Sequence, residues 1–197
     1  MMESGREKLG RWLEAFSPTI EAEHQAKARM LRLLKETESP FSRNQFSPGH
    51  FTASAFVVSE DAKEIILIFH KKLQRWLQPG GHIEKSDPDI YASAMREASE
   101  ELGLTKHDFS GDGQIFDLDI HPIPAHGSEA AHFHYDVRFL FRTKRQLLRH
   151  NQEVEEAIYW PIEKLNEIET DESVRRVFDK LWGRPSAINV ASEEGIS

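Results

Sequence analysis

The chain contains no cysteine. Disulfides, thiolate zinc sites and cysteine nucleophiles are therefore excluded. No apolar run approaches the roughly 20 residues of a membrane-spanning helix, and the start, MMESGREKLGRW, lacks the apolar stretch of a secretory leader. Cytoplasmic is the default location, and no membrane partner is expected. Positive charge is also scarce: 25 Lys and Arg against 33 Asp and Glu leave a formal net charge of −8. Sequence-independent nucleic-acid binding needs a basic surface, so that class is set aside. An acidic protein that handles a polyanion needs a metal cation to make the meeting favourable.

What is present describes an ordinary globular protein. The 197 residues are 39% hydrophobic and 29% charged, enough for one domain with a substantial core and some appendages. Residues 1–45 read as a helical extension, with Ser17-Pro18-Thr19 offering a cap before an amphipathic run through Ala22, Ala26, Met30 and Leu33. This hairpin packs on the domain or on a second copy of the chain, and covering a substrate is a further role open to it. From Phe51 the period changes. FTASAFVVS and EIILIFH read as paired strands, as do QIFDLDIHPIP and HFHYDVRFLFR. EEAIYW reads as a last strand, PIEKL as a helical turn, and a helix capped by Asp171 closes the domain near residue 183. Residues 184–197 are polar, contain Gly and Ser, and are expected to be disordered. Strands flanking a central helix suit a mixed sheet between helices.

The centre of the chain is WLQPGGHIEKSDPDIYASAMREASEELGL, from Trp76 to Leu104. Tyr91, Met95, Ala98 and Leu102 recur at helical spacing and draw one apolar stripe. Glu97, Glu100 and Glu101 stand at i, i+3 and i+4 on another face, where like charges repel by a few tenths of a kcal/mol per pair (roughly). No lysine lies between Lys85 and Lys106, and Arg96 is the sole cation of the run. A hard divalent ion with oxygen ligands would remove that repulsion. Gly103 closes the helix.

Arg96-Glu97-Ala98-Ser99-Glu100-Glu101-Leu102-Gly103-Leu104 resembles the second half of the Nudix box. In the first half, counting from Gly81, the box glutamate falls at Asp87, and eight residues rather than seven separate it from Arg96. The extra residue lies in the loop around Pro88. Leu77-Gln78-Pro79 followed by Gly80-Gly81-His82-Ile83-Glu84 resembles a bacterial branch of the superfamily with a similar LQPGGH stretch. The resemblance implies an α/β/α sandwich with a mixed sheet over residues 46–183. It also implies Mg²⁺-dependent hydrolysis, with Mn²⁺ able to substitute, within the diphosphate of a nucleoside diphosphate derivative: a nucleotide sugar, ADP-ribose, a dinucleotide or a nucleoside triphosphate. It assigns Glu97, Glu100 and Glu101 to metal, with the carbonyl of Gly80 as a further ligand freed by the unusual angles of a Gly-Gly pair. It pairs Arg96 with Glu84, fixing the loop on the helix.

A further acid beyond the box, as metal ligand or general base, is expected among Glu153, Glu155 and Glu156, with Glu153 favoured. His82 and His134 are candidates for contacting phosphate or base. His132 and His134 face the same side of a strand, but the spacing supplies no third ligand for a histidine metal site. A non-catalytic nucleotide-binding module on the same scaffold is the alternative reading, although such modules lose box acids and all three stand here. An isomerase of isopentenyl diphosphate would bring a catalytic cysteine, which this chain lacks.

Overall fold

The computed structural model describes residues 5–152 and 154–182. Two helices come first, α1 (Gly5–Ala15) and α2 (Glu21–Glu36), then strands β1 (Gly49–Ser59), β2 (Glu64–His70), β3 (Arg75–Leu77) and β4 (Gly80–His82). Helix α3 (Ile90–Leu102) follows, then β5 (Phe109–Ser110), β6 (Ile115–Ile123), β7 (His132–Thr143), β8 (Val154–Pro161) and α4 (Glu172–Trp182). The strands form one mixed sheet. β1 runs parallel to β7 along its full length and antiparallel to β2 and β4.

β1 is buried at every position because it lies inside the sheet with both faces covered. Its alternate residues divide the two layers. Phe51, Ala53, Ala55 and Val57 join Val137, Phe139 and Phe141 of β7 in a core capped by α1, α2 and α3. Phe56 and Val58 turn to the other side, against Ile162, Leu165, Val174 and Val177 from the 3-10 turn Ile162–Glu167 and from α4. The helices of the N-terminal extension thus share the domain's own core, through Leu9, Leu13, Met30 and Leu33.

Three local expectations change. Helix α2 is not capped by the Ser17–Thr19 segment: its N-cap is Ile20, without a side-chain cap bond. Instead the Thr19 amide and hydroxyl both donate to Glu23 Oε2, at 2.7 and 3.0 Å, so the acid reaches back to the chain before the helix. The segment around Gly80, which carries no strand period, forms a short strand because β1 offers an edge to pair with. The apolar stripe of α3 is centred on Ile90, Ala94, Ala98 and Leu102, with Tyr91 and Met95 packed at its margin. Small alanines at its middle let the helix lie close to the small residues of β1. Glu153 and the expected tail at residues 184–197 lie outside the described residues.

Candidate active site

Helix α3 is set firmly at both ends. Asp89 accepts the Ala92 amide at 2.8 Å as N-cap, and Lys8 of α1 reaches Asp89 at 2.5 Å. Gly103 takes φ 63°, ψ 29°, the left-handed conformation that suits glycine at a helix end.

On this helix Arg96 gathers the loop. Its Nε donates to Asp87 Oδ1 at 3.0 Å and its Nη2 to Asp87 Oδ2 at 3.1 Å and to the His82 carbonyl at 2.8 Å. Its Nη1 meets Glu97 Oε1 at 3.0 Å and Glu100 Oε2 at 3.3 Å. The expected partner Glu84 is not the one engaged: its side chain is exposed and accepts from Ser86 Oγ at 3.2 Å. The loop explains the exchange. A turn closed by Asp87 N–H to Glu84 C=O at 3.1 Å folds the inserted stretch back, and Asp87 arrives beneath the guanidinium. Burial works to raise the Asp87 pKa, but Arg96, the Glu84 amide and Ser93 together hold it below the usual carboxylate range. Asp87 and Glu97 in turn push Arg96 up against its own desolvation.

The glycines before the loop serve by being small. A Cβ on Gly80 would stand 2.3 Å from Ser54 Oγ, and one on Gly81 would stand 2.6 Å from Glu97 Oε1. Neither has a positive φ, so the expected unusual backbone angles are absent; what the pair provides is close approach of a strand to carboxylates. The Gly80 amide donates to Glu101 Oε2 at 2.9 Å, and Glu101 is only 4% exposed. The donors are all oxygen and lie within about one helical turn beside bare backbone, which fits a hard divalent ion. Glu100 remains half exposed at the rim.

Gly80, Gly81, His82 and Glu101 border a cleft of about 820 Å³, a size typical of small-molecule sites. None of the residues lining it comes from α1 or α2. Its floor is a set of charges on alternate strand positions. Asp136 accepts from Thr52 Oγ1 (3.0 Å), Ser54 Oγ (2.9 Å) and Arg138 Nε (2.8 Å). Arg138, 2% exposed, also meets Asp117 and Asp119, each at 3.2 Å. Arg176 of α4 joins the same two acids at 2.9 and 3.1 Å, and Lys180 of α4 pairs with the buried Glu23 of α2. Burial acts to raise the pKa of Asp117 and of Asp119; the cations outweigh it for both, together with His121 for Asp119, and hold both low. Removing one member of such a buried set would leave the others uncompensated, at about 3–5 kcal/mol.

Beyond this floor the same sheet face carries imidazoles. His50 of β1 and His134 of β7 are register partners, and His82 pairs with Thr52, two residues along β1 from His50. One ring nitrogen from each of these three lies within 4.8 Å of the others. Among the described residues no other three ligating side chains gather so closely, the α3 glutamates included. His50 thus joins His82 and His134 in a group of three that chain spacing did not reveal, while His132 is not a member of it. Burial is the first cause that lowers the pKa of each, to about 4 for His82 and about 2 for His134.

A NUDIX domain family model matches residues 48–181, more than half of the chain. The chain belongs to the Nudix family. A search of curated proteins found no match. Among solved structures, the chain resembles a C. elegans Ap4A hydrolase at 17% identity and TM-score 0.54, covering 68% of this chain and 95% of that one. It also resembles the NUDIX domain of Shewanella oneidensis NrtR, solved with ADP ribose, at 14% identity and TM-score 0.51, covering 68% and 86%. An E. coli dihydroneopterin triphosphate pyrophosphohydrolase follows at 13% identity and TM-score 0.50, covering 66% and 92%. These likenesses show the Nudix fold, and the family match supports a hydrolase acting on pyrophosphate bonds.

The Nudix helix and its loop were readable from local sequence; the floor of the cleft was not singled out. A signal for it exists. Asp117, Asp119 and His121, like His134, Asp136 and Arg138, occupy every second position of otherwise apolar strands, and that alternation places them on one face. Glu155 and Glu156 are exposed and do not line the cleft.

Proposed function

We propose that this Nudix protein is a Mg²⁺-dependent pyrophosphohydrolase, with Mn²⁺ able to substitute, that cuts the diphosphate linkage of a nucleoside diphosphate derivative. The observation that carries this reading is the union of a carboxylate-bearing helix with the bare Gly80–Gly81 strand at the edge of the cleft, locked by Arg96 and by the Glu101–Gly80 bond. Glu97, Glu100 and Glu101, with the Gly80 carbonyl, would hold the ion. Bound there, it would neutralise phosphate oxygens and lower the pKa of water.

The chain's own groups supply the positioning. Arg96 does not reach for substrate; it spends its five donors on Asp87, Glu97, Glu100 and the His82 carbonyl, and so keeps loop and helix in register. Glu101 keeps one oxygen on the Gly80 amide and brings a carboxylate to the cleft wall, where it orients the attacking water. His82 and His134 face the same cleft, in reach of a bound phosphate or base. Glu84, exposed at the loop, is a candidate for contacting substrate, and Glu153 remains the candidate for an added acid. The LQPGGH stretch supports placing the chain in the bacterial branch that carries it. Ap4A and ADP ribose, named for two of the similar structures, together with nucleotide sugars and nucleoside triphosphates define the substrate panel. We also read residues 1–45 as an extension to the catalytic domain.

The test is incubation with Mg²⁺ and that panel, with products identified by mass spectrometry. A nucleoside monophosphate and its phosphorylated partner are expected from at least one substrate. Binding without any product would favour the non-catalytic module instead.

A further inference from the structure

We propose a second metal site, separate from the acidic helix, in which His50, His82 and His134 hold a borderline divalent transition ion of the zinc class. It goes beyond the hydrolase reading and does not depend on it.

The sheet builds this site from three strands. Strand partners share a face, and residues two apart along a strand do as well. The pairings His50 with His134 and Thr52 with His82 therefore turn three imidazoles to one side. Their ring centroids are 4.9 Å (His50–His134), 5.1 Å (His50–His82) and 5.2 Å (His82–His134) apart. Zinc–nitrogen bonds of about 2.0–2.1 Å in a tetrahedral arrangement need nitrogens roughly 3.3 Å apart. The ion must draw the rings in by the difference between that and the 4.8 Å bound.

His50 provides the independent observation. It is 1% exposed, and its Nδ1 lies 3.1 Å from the Gln45 carbonyl. A carbonyl only accepts, so Nδ1 carries the proton and Nε2 presents a lone pair. That Nε2 is buried and has no hydrogen-bond partner. A histidine that donates one nitrogen to a carbonyl and offers the other is in the state metal ligands take, with the carbonyl as outer support. Outside the triad, His132 stacks on His50 at 4.9 Å and is itself anchored on the Ala130 carbonyl. His121, bound to Asp119 at 2.9 Å, braces His134 from the other side.

Three nitrogens without a carboxylate select Zn²⁺, Co²⁺ or Ni²⁺ over Mg²⁺, which takes oxygen. Three protein ligands also leave a coordination position open. Because His82 and His134 line the cleft, that position faces its contents, and an oxygen of the occupant would complete the shell.

The experiment uses full-length protein without an affinity tag, stripped with a chelator and dialysed. Zn²⁺ is titrated against a chromogenic competitor in millimolar Mg²⁺, and Co²⁺ is followed by its visible absorption. One tightly held equivalent is expected, with Co²⁺ bands of a nitrogen-rich, four-coordinate site. His134→Gln and His82→Asn should each weaken Zn²⁺ binding by about 10-fold or more, as loss of a ligand requires. The double variant Glu97→Gln/Glu100→Gln should keep the Zn²⁺ equivalent. No stoichiometric Zn²⁺ uptake by the wild-type chain would overturn the proposal, whatever the variants do. So would retention of full affinity by both histidine variants, or loss of the equivalent in the glutamate double variant. Melting curves in chelator confirm that each variant is folded.

Discussion

Two groups of side chains suited to holding a metal, the glutamates of α3 and the histidines of the sheet, each give at least one member to the cleft, and they are built in opposite ways. The glutamates of α3 come from one turn of one helix, five residues of chain from first to last, and are positioned by local geometry plus one arginine. The histidines come from three strands, and His50 and His134 meet only because β1 and β7 run parallel in a particular register. In the first group like charges are tolerated because Arg96 sits among them; in the second the side chains are neutral and crowding costs little. The difference teaches that a helix can advertise a site in its sequence, whereas a sheet disperses one. It also sets oxygen-bearing side chains on a helix apart from nitrogen-bearing ones on strands.

The largest effect expected is at Glu101. Glu101→Gln keeps an acceptor for the Gly80 amide but removes the charge, so kcat should fall by roughly 10²–10³, as for loss of one preorganised electrostatic element. Measured alongside, Zn²⁺ affinity should be unchanged. If both properties fell together, the two groups would be one site and the comparison would collapse.

Metal removal sharpens it next. Exhaustive chelation should abolish turnover while leaving far-UV circular dichroism intact, and Mg²⁺ should restore activity. Turnover that survives chelation would remove the ion from the acidic helix.

Arg138→Met probes the floor of the cleft. It leaves Asp117, Asp119 and Asp136 short of their shared cation, and urea unfolding should report a loss of about 3–5 kcal/mol. A loss under about 1 kcal/mol would mean that Arg176 and Lys180 suffice to hold these acids.

Asp87→Asn is expected to act more gently. The inserted residue puts Asp87 one place out of the box spacing, and its contacts with Arg96, Ser93 and the Glu84 amide make it part of the clamp. A stability loss of about 1–2 kcal/mol is expected, typical of hydrogen bonds to charged groups, with kcat/KM reduced about 10-fold. Wild-type behaviour in both assays would show that the clamp holds without its charge.

The smallest effect concerns acid. Asp117 and Asp119 have folded pKa values below the ordinary carboxylate value of 3.8. The unfolded chain therefore takes up protons there first, and the stabilisation is complete above about pH 4 and is lost as pH falls further. Melting temperature should be level from pH 7 to about 5 and drop below 4. The double variant Asp117→Asn/Asp119→Asn should show a shallower fall over that range, and an identical fall would assign acid sensitivity elsewhere.

Much of the fold was legible because its signals are local. Alternating residues marked β6 and β7, and runs of apolar and small residues marked β1 and β2; the 3.6-residue stripe and Gly103 marked α3; the ordered glutamates marked the Nudix helix. The short strands β3, β4 and β5 were not, since two or three residues carry no period and pair only where a neighbour offers an edge. Arg96 was read as a structural clamp, yet its partner was misassigned, because the path of an inserted loop depends on which turn it can close.

By itself, then, the sequence determined the longer elements and the acidic helix, where neighbours in the chain are neighbours in space. Tertiary structure alone decided that Asp87 rather than Glu84 meets Arg96, that three aspartates share Arg138, and that His50 joins His82 and His134. The first depends on the turn that the inserted loop closes; the other two depend on strand order and register, which are set by burying the two apolar faces of the sheet. The polar residues on alternate positions are carried to their places by that packing.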